Sequence, residues 1–213
     1  MLGAAALWGT TGTAATFAPG VGPLAMGAAA LGIGGLLQAL IALPALYRAR
    51  AALRANIGTI ITGAIGVFIY PLAFYSSMHL AGVALGTVVS LGSAPIASGL
   101  LERIIAKQTL SRWCMLAATL GITGSTLLCL AKMQNAPSET WPTIFGIGLG
   151  LIAGFTYALY SFSAHNLIGR TDRGTIGRAA GMGAIFGLGG LAIMPVLLAT
   201  GAPLLTNSRT LTV

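Results

Sequence analysis

Long apolar runs separated by short basic connectors dominate the chain. The uncharged runs cover residues 1–47, 55–101, 113–131, 140–169 and 179–208. A helix needs about 20 apolar residues to cross the hydrocarbon core of a bilayer. The first two runs are more than twice that length, so each of them must turn back once. Because the runs are continuously apolar rather than alternating, the pattern favours transmembrane helices over barrel strands.

The pattern predicts an all-α polytopic bundle of about seven transmembrane helices. Turn-forming residues place the two reversals at 19–23, a segment of prolines and glycines, and near 79–82. Spans one to seven are expected at residues 2–18, 24–47, 57–78, 82–101, 113–131, 143–166 and 179–200. Span one has no basic segment before it, so it is interpreted as a retained helix rather than a cleaved signal peptide.

Basic residues collect at one end of this predicted bundle. They follow spans two, four and six: Arg48, Arg50, Arg54, Arg103, Lys107, Arg112, Arg170, Arg173 and Arg178. Only Lys132 and Arg209 fall at the opposite end. Short cytoplasmic loops retain Lys and Arg. The even-numbered spans are therefore expected to end in the cytoplasm, and the amino terminus of this cell-membrane protein is expected to lie there too.

The composition agrees with a chain surrounded by lipid. Hydrophobic residues make up 56% of it and charged residues 7%, whereas about a quarter of the residues in a soluble domain are charged. The net charge is +8, but nine of the eleven basic residues fall in three separated clusters rather than one basic stripe, so a nucleic-acid partner is not expected. The expected partners are the lipid bilayer and a small-molecule solute, and a homodimer is left open.

The two cysteines do not indicate a disulfide or a metal site. Cys114 and Cys129 lie in one apolar run, and fifteen residues of helix would separate them by about 22 Å. No group of Cys and His has the spacing of a metal site. Buried, unreactive thiols are the expected state, and no cofactor is expected.

Small residues recur every four positions in three of the predicted spans. They are Gly82, Gly86, Ser90, Ala94 and Ser98 in span four, Gly146, Gly150 and Gly154 in span six, and Gly183 and Gly187 in span seven. Ridges of this kind allow close helix packing in lipid. Pro71, Pro95 and Pro195 lie inside spans three, four and seven, where proline removes a backbone hydrogen bond and predicts a kink. Such a kink either is purely structural or lines a transport pathway.

Three stretches of sequence resemble the EamA family of the drug/metabolite transporter superfamily. The first is 7–10 in span one, and the third is Gly121 with Gly124 in span five. The second runs from Phe74 to Arg103, and its matching residues are Phe74, Tyr75, Ala84, Ser90, 93–95, Glu102 and Arg103. Residues 6–14 and 152–160 also resemble each other, since each segment mixes aromatic, small and hydroxyl side chains. Five spans repeated in tandem run in opposite directions across the membrane, as in inverted-repeat transporters.

The resemblance implies a ten-helix transporter of two five-helix repeats that moves small metabolites through a central cavity. Residues 1–131 would form the first repeat, and 132–213 would form about two helices of the second. The chain ends at Val213 after about seven spans. It is therefore interpreted as either a fragment or the product of a truncated gene.

Polar side chains inside the spans are the candidates for a solute pathway, because they are costly in lipid unless they face protein or water. The candidates are Trp8, Thr11, Tyr70, Ser90, Tyr157, Tyr160 and Ser161, with Gln38 as a weaker one. The last three stand at i, i+3 and i+4 and share one helix face. The alternative is an interfacial tyrosine or a hydroxyl bonded to its own helix. Glu102 is interpreted as a cytoplasmic anchor, and His79 and His165 as interfacial residues.

These features favour secondary transport that exports small metabolites, such as amino acids or amphipathic compounds. A non-transporting membrane subunit or an inactive truncated product is the alternative. An enzyme is not expected, because no convergent set of acid, base, nucleophile or metal ligands is visible within the spans. No nucleotide-binding loop is visible either.

Overall fold

The computed structural model describes most of the predicted spans. The described residues are 21–105, 107, 116, 119–120, 123–124, 127, 140–171 and 174–202. Predicted span one, with Trp8 and Thr11, lies outside them, as do Cys114 and Cys129 and most of predicted span five. The described positions between 116 and 127 are helical.

Five helices in the described part of the chain are long and apolar enough to cross a membrane. They are Pro23–Ile41, Ile57–Ala81, Val83–Ile104, Thr140–Leu167 and Arg178–Thr200. These helices coincide with predicted spans two, three, four, six and seven, and they keep those names below. The prediction of an all-α, multi-pass membrane fold is therefore confirmed.

The turn between spans three and four forms where the sequence predicts it. Span three ends at Ala81 and span four begins at Val83, so Gly82 alone connects them. Its φ of 86° lies in the left-handed region that glycine adopts without a steric cost. Spans three and four consequently form a tight antiparallel hairpin.

Span two is less regular than its apolar pattern suggests. It consists of the α-helix Pro23–Ala28, the π-helix Ala29–Ile33 and the α-helix Gly34–Ile41. Two short helices, Leu43–Arg48 and Arg50–Ala55, connect it to span three. A π-turn shifts the hydrogen bonds from i−4 to i−5, and hydrophobicity carries no signal for this change.

A small β-hairpin joins spans six and seven. Strand β1 (Gly169–Thr171) pairs antiparallel with strand β2 (Gly174–Ile176). Ile176 is fully buried in a cluster that also contains Leu53 and Ala180. The hairpin therefore anchors the loop between spans six and seven onto the connector that follows span two.

Span six packs against the hairpin of spans three and four through its glycines. A Cβ atom added at Gly146 would lie 2.7 Å from the backbone nitrogen of Ala81, and one added at Gly150 would lie 3.0 Å from the Ser77 hydroxyl. One added at Gly154 would meet the carbonyl of Ser90 at 2.6 Å. The predicted ridge on span six thus meets the ridge on span four at Gly154.

Span seven packs antiparallel to span two through a second set of small residues. Cβ atoms added at Gly183 and Gly187 would lie 2.5 and 2.6 Å from the Cβ atoms of Ala42 and Ala39. Further along, Gly190 lies against the backbone of Gly35. The ridge on span two was missed in the sequence, although small residues there also recur at helical spacing.

Buried polar side chains in these helices have hydrogen-bond partners. The Ser77 hydroxyl is fully buried and donates to the carbonyl of Gly146 over 2.7 Å, linking span three to span six. Among the described residues, no buried side-chain nitrogen or oxygen lacks a partner. This satisfies the main requirement of a lipid-embedded fold, in which an unpaired polar group is costly.

Candidate functional site

Six rings from spans three, six and seven form one group, which we call the aromatic cluster. Its members are Tyr70, Phe74, Tyr75, Tyr157, Tyr160 and Phe186. Tyr70, Phe74 and Tyr75 are buried, whereas Tyr157, Tyr160 and Phe186 are half-buried. The cluster lies where the three spans meet, so its exposed edges belong to span six and span seven.

Three tyrosines form the centre of the cluster. The ring centroid of Tyr70 lies 5.6 Å from that of Tyr157 and 6.0 Å from that of Tyr160. The rings of Tyr157 and Tyr160 lie 5.1 Å apart at an interplanar angle of 68°. Edge-to-face pairs at these distances are favourable contacts between rings. The structure thus brings Tyr70 together with the tyrosines of span six, which are far from it in sequence.

Gly66 permits this meeting of spans three and six. It lies one turn before Tyr70, and an added Cβ atom would approach the Thr156 carbonyl oxygen to 2.8 Å and the Tyr160 Cβ atom to 3.1 Å. The Thr156 hydroxyl donates to the carbonyl of Ile152 in its own helix. The absence of a side chain at position 66 therefore sets how closely the two tyrosine-bearing helices pack.

The cluster combines ring surfaces with hydroxyl groups. The hydroxyl groups of Tyr157 and Ser161 lie near that of Tyr160, and Ser161 is half-buried. These hydroxyls can donate to or accept from a solute, while the ring faces can contact an apolar group or a cation. The arrangement suits a small amphipathic molecule, and the role of Tyr70, Tyr157, Tyr160 and Ser161 in binding stays a prediction.

Ser90 lies at a helix contact away from the aromatic cluster. It is 1% exposed, and its hydroxyl donates to the carbonyl of Gly86 in span four over 2.8 Å. A neighbouring hydroxyl, that of Ser93, donates to the Ser90 carbonyl. The geometry of Ser90 matches the alternative weighed from the sequence, a hydroxyl bonded to its own helix.

The other predicted positions lie outside the aromatic cluster. Gln38 is half-buried in span two, while His79 and His165 are exposed near helix ends. Glu102 is exposed in the last turn of span four, and its role as an anchor stays a prediction. Pro71, Pro95 and Pro195 lie inside spans three, four and seven, as the sequence predicts. Their role as pathway kinks is likewise a prediction.

Sequence reasoning missed half of the aromatic cluster. Phe74 and Tyr75 entered only as part of a family resemblance, and Phe186 was not singled out. One signal was available, because Tyr70 and Phe74 stand at i and i+4 and therefore share a helix face. No pattern in the sequence indicates that span seven brings Phe186 to within 5.4 Å of Tyr160. Among the described residues, no group of three or more His, Cys, Asp or Glu could hold a metal ion.

Comparison with known proteins gives two matches. The model of the EamA-like transporter family matches residues 1–130. The uncharacterized transporter YwfM of Bacillus subtilis (strain 168) is 29% identical to this chain over 197 residues. That alignment covers 91% of the chain and 62% of the relative, so the chain spans less than two thirds of that protein's length. No solved structure matches the chain significantly.

Proposed function

Because the chain belongs to the EamA-like transporter family, we propose that it is a secondary transporter that moves small metabolites, such as amino acids or amphipathic compounds, out of the cell. The observation that carries this proposal is the aromatic cluster, in which three tyrosines from two spans converge inside a membrane-spanning bundle. Transport would use a solute or ion gradient.

The proposed pathway passes along the side of span six that carries Tyr157, Tyr160 and Ser161. Toward the start of the same helix, Gly146 and Gly150 pack against spans three and four without room for a side chain. One face of span six is thus tightly packed in its first half, and its second half carries the half-buried rings of Tyr157 and Tyr160. A solute that contacts the rings would reach hydroxyl groups and apolar surface together, as an amphipathic compound requires.

The packing of spans two and seven supports the proposed division into repeats, 1–131 and 132–213. If a five-span unit is repeated, span seven is the equivalent of span two and runs in the opposite direction. The two helices do run antiparallel, with Gly35 beside Gly190 and Ala42 beside Gly183. A contact between equivalent helices is expected where a two-fold axis relates two inverted repeats.

A cysteine at position 161 tests whether solute reaches the cluster. In a chain with Cys114 and Cys129 replaced by Ser, we expect Ser161→Cys to react with a small membrane-impermeant maleimide. An amino acid or amphipathic amine that is transported should slow this labelling at least several-fold by occupying the site. The readout is the labelling rate in membranes, measured for each solute.

Ser163→Cys is the matched control for this experiment. Ser163 lies on the same helix but is 3% exposed, and its hydroxyl donates to the carbonyl of Leu159. It should stay unlabelled with or without solute. A Ser161→Cys chain that does not react, or that reacts at one rate with every solute, would count against a solute pathway at the cluster and favour a non-transporting membrane subunit.

The orientation is part of the proposal and has its own test. The basic residues at the ends of spans two, four and six support a cytoplasmic location for those ends and for the amino terminus. Fluorescent-protein fusions after residues 54 and 177 should therefore both fluoresce, whereas alkaline phosphatase should be active only in fusions at Gly82 or Gly201. Residues 48–54 and 170–178 found on opposite sides of the membrane would contradict this topology.

A further inference from the structure

A groove runs along the outer surface between spans three and seven. It encloses about 370 Å³ and is lined by Ile61, Ala64, Ile65, Phe68, Leu188 and Ala192. All six side chains are hydrocarbon. Ile61 and Ile65 are each close to half exposed, while Ala64 is buried at the base. No described residue closes the groove, which in this part of the chain is an outward-facing apolar channel deeper than the surrounding helix surface.

The groove starts near the basic end of the bundle. Spans three and seven both begin at that end, at Ile57 and Arg178. Ile61 lies about 6 Å along span three from its first residue, and Ala192 lies about 21 Å along span seven. The groove consequently extends from near the basic end to slightly beyond the middle of the bundle, which covers most of the acyl-chain depth of the leaflet nearest the basic loops.

Two exposed arginines lie at the basic ends of the two spans that border the groove. Arg54 precedes span three by three residues, and Arg178 is the first residue of span seven; both side chains are exposed. Leu53, next to Arg54, and Ala180, two residues after Arg178, belong to one buried cluster. The segments that carry the two arginines therefore meet at one corner of the bundle. Glu102 is the one acidic residue among those that the structure describes. It lies on span four, and span four packs against spans three and six rather than against span seven.

We propose that this corner binds one anionic phospholipid of the leaflet beside the basic loops. Its phosphate lies between Arg54 and Arg178, and one acyl chain lies in the groove. Anionic headgroups attract arginine at the membrane surface, and the long side chain can reach the phosphate while its stem covers apolar surface. A second copy of the chain fits this corner less well. A symmetric contact would bring the arginines of both copies to the same end of the interface, where they repel each other.

Lipid titration of the purified full chain tests the site. The probes are dioleoyl phosphatidylglycerol and dioleoyl phosphatidylcholine, and native mass spectrometry measures how much of each lipid the chain retains in detergent. The unsubstituted chain should prefer phosphatidylglycerol. Arg54→Gln with Arg178→Gln should weaken phosphatidylglycerol binding roughly 30-fold, at about 1 kcal/mol per arginine, and leave phosphatidylcholine binding unchanged.

A second substitution tests the groove separately from the charge. Ala192→Phe places a ring in the groove and should lower retention of both lipids several-fold. Leu198→Phe is its control, because Leu198 is 83% exposed and lies outside the groove lining. Arg103→Gln is the control for charge, since Arg103 is exposed at the same end of the bundle on span four.

Retention of phosphatidylglycerol by the variants decides whether the site exists. Loss of the phosphatidylglycerol preference in the double arginine variant, with both controls unchanged, supports the site. Equal phosphatidylglycerol binding by the double variant and the unsubstituted chain would overturn it, as would normal lipid retention by Ala192→Phe. A dimer that Ala192→Phe abolishes would also overturn it, because the groove would then hold a second copy. Solute transport does not enter the readout, so the site stands or fails independently of the proposed function.

Discussion

Replacement of Tyr160 by Ala should lower solute movement about tenfold or more at subsaturating solute concentration. Tyr160 contacts Tyr70, Tyr157 and Phe186, so its ring connects all three spans of the aromatic cluster. Its removal deletes both a ring surface and a hydroxyl from the proposed pathway. The measurement is the initial rate of movement of radiolabelled solute by proteoliposomes that contain equal amounts of inserted protein.

Two further variants separate pathway effects from general damage to span six. Phe145→Ala removes a ring of the same helix that is 66% exposed and outside the cluster, and it should leave the rate near normal. Tyr160→Phe keeps the ring and removes only the hydroxyl, so an intermediate rate is expected if both groups bind solute. Equal rates for Tyr160→Ala and the unsubstituted chain, for every solute that moves, would remove Tyr160 from the pathway.

Gly66→Leu should destabilise the protein and separate the tyrosines of spans three and six. The first added carbon would lie 2.8 Å from the Thr156 carbonyl oxygen and 3.1 Å from the backbone nitrogen of Tyr160, so these two helices must move apart. Overpacking of this kind costs about 2–3 kcal/mol, which corresponds to a fall in Tm of about 5–10 °C. Thermal unfolding in detergent measures the effect, and solute movement should fall with it.

Gly58→Leu is the matched control on the same helix. Among the described residues, no atom would lie within 4 Å of a Cβ atom at Gly58, so this variant should unfold close to the temperature of the unsubstituted chain. If Gly66→Leu and Gly58→Leu unfold at the same temperature, the close approach of spans three and six at Gly66 does not stabilise the bundle.

Most of the fold follows from one property of the sequence. Apolar runs of helix length and the glycine at position 82 were sufficient to predict the five described spans and the hairpin of spans three and four. The backbone of a lipid-exposed segment must form its hydrogen bonds within the segment, so length and hydropathy determine a helix directly. The small-residue ridges on spans six and seven were also visible, because close helix contacts in lipid depend on them.

Contacts between helices could be anticipated only in part. The i, i+3 and i+4 spacing placed Tyr157, Tyr160 and Ser161 on one face, but the partner of that face depends on how spans three and seven are arranged around span six. Ser90 was named as a pathway candidate because it is polar. A polar residue in a small-residue ridge can equally belong to a packed contact between helices. The Ser90 hydroxyl bonds Gly86 in the same helix.

The apolar pattern carries no signal for local departures from regular structure. The π-helix Ala29–Ile33 and the α-helices on either side of it are all built almost entirely of small and aliphatic residues. The β-hairpin after span six depends on Ile176 finding a buried position beside Leu53, a residue more than a hundred positions earlier. The π-helix, the hairpin and the groove between spans three and seven were therefore not predicted.

Solute movement by the chain itself tests the central claim most directly. Proteoliposomes with verified insertion should accumulate or release at least one amino acid or amphipathic compound down an imposed gradient, faster than protein-free liposomes, and the Tyr160→Ala chain should lose most of this movement. No movement of any compound in a broad panel by correctly inserted protein would contradict the claim that the tyrosines of spans three and six line a transport pathway.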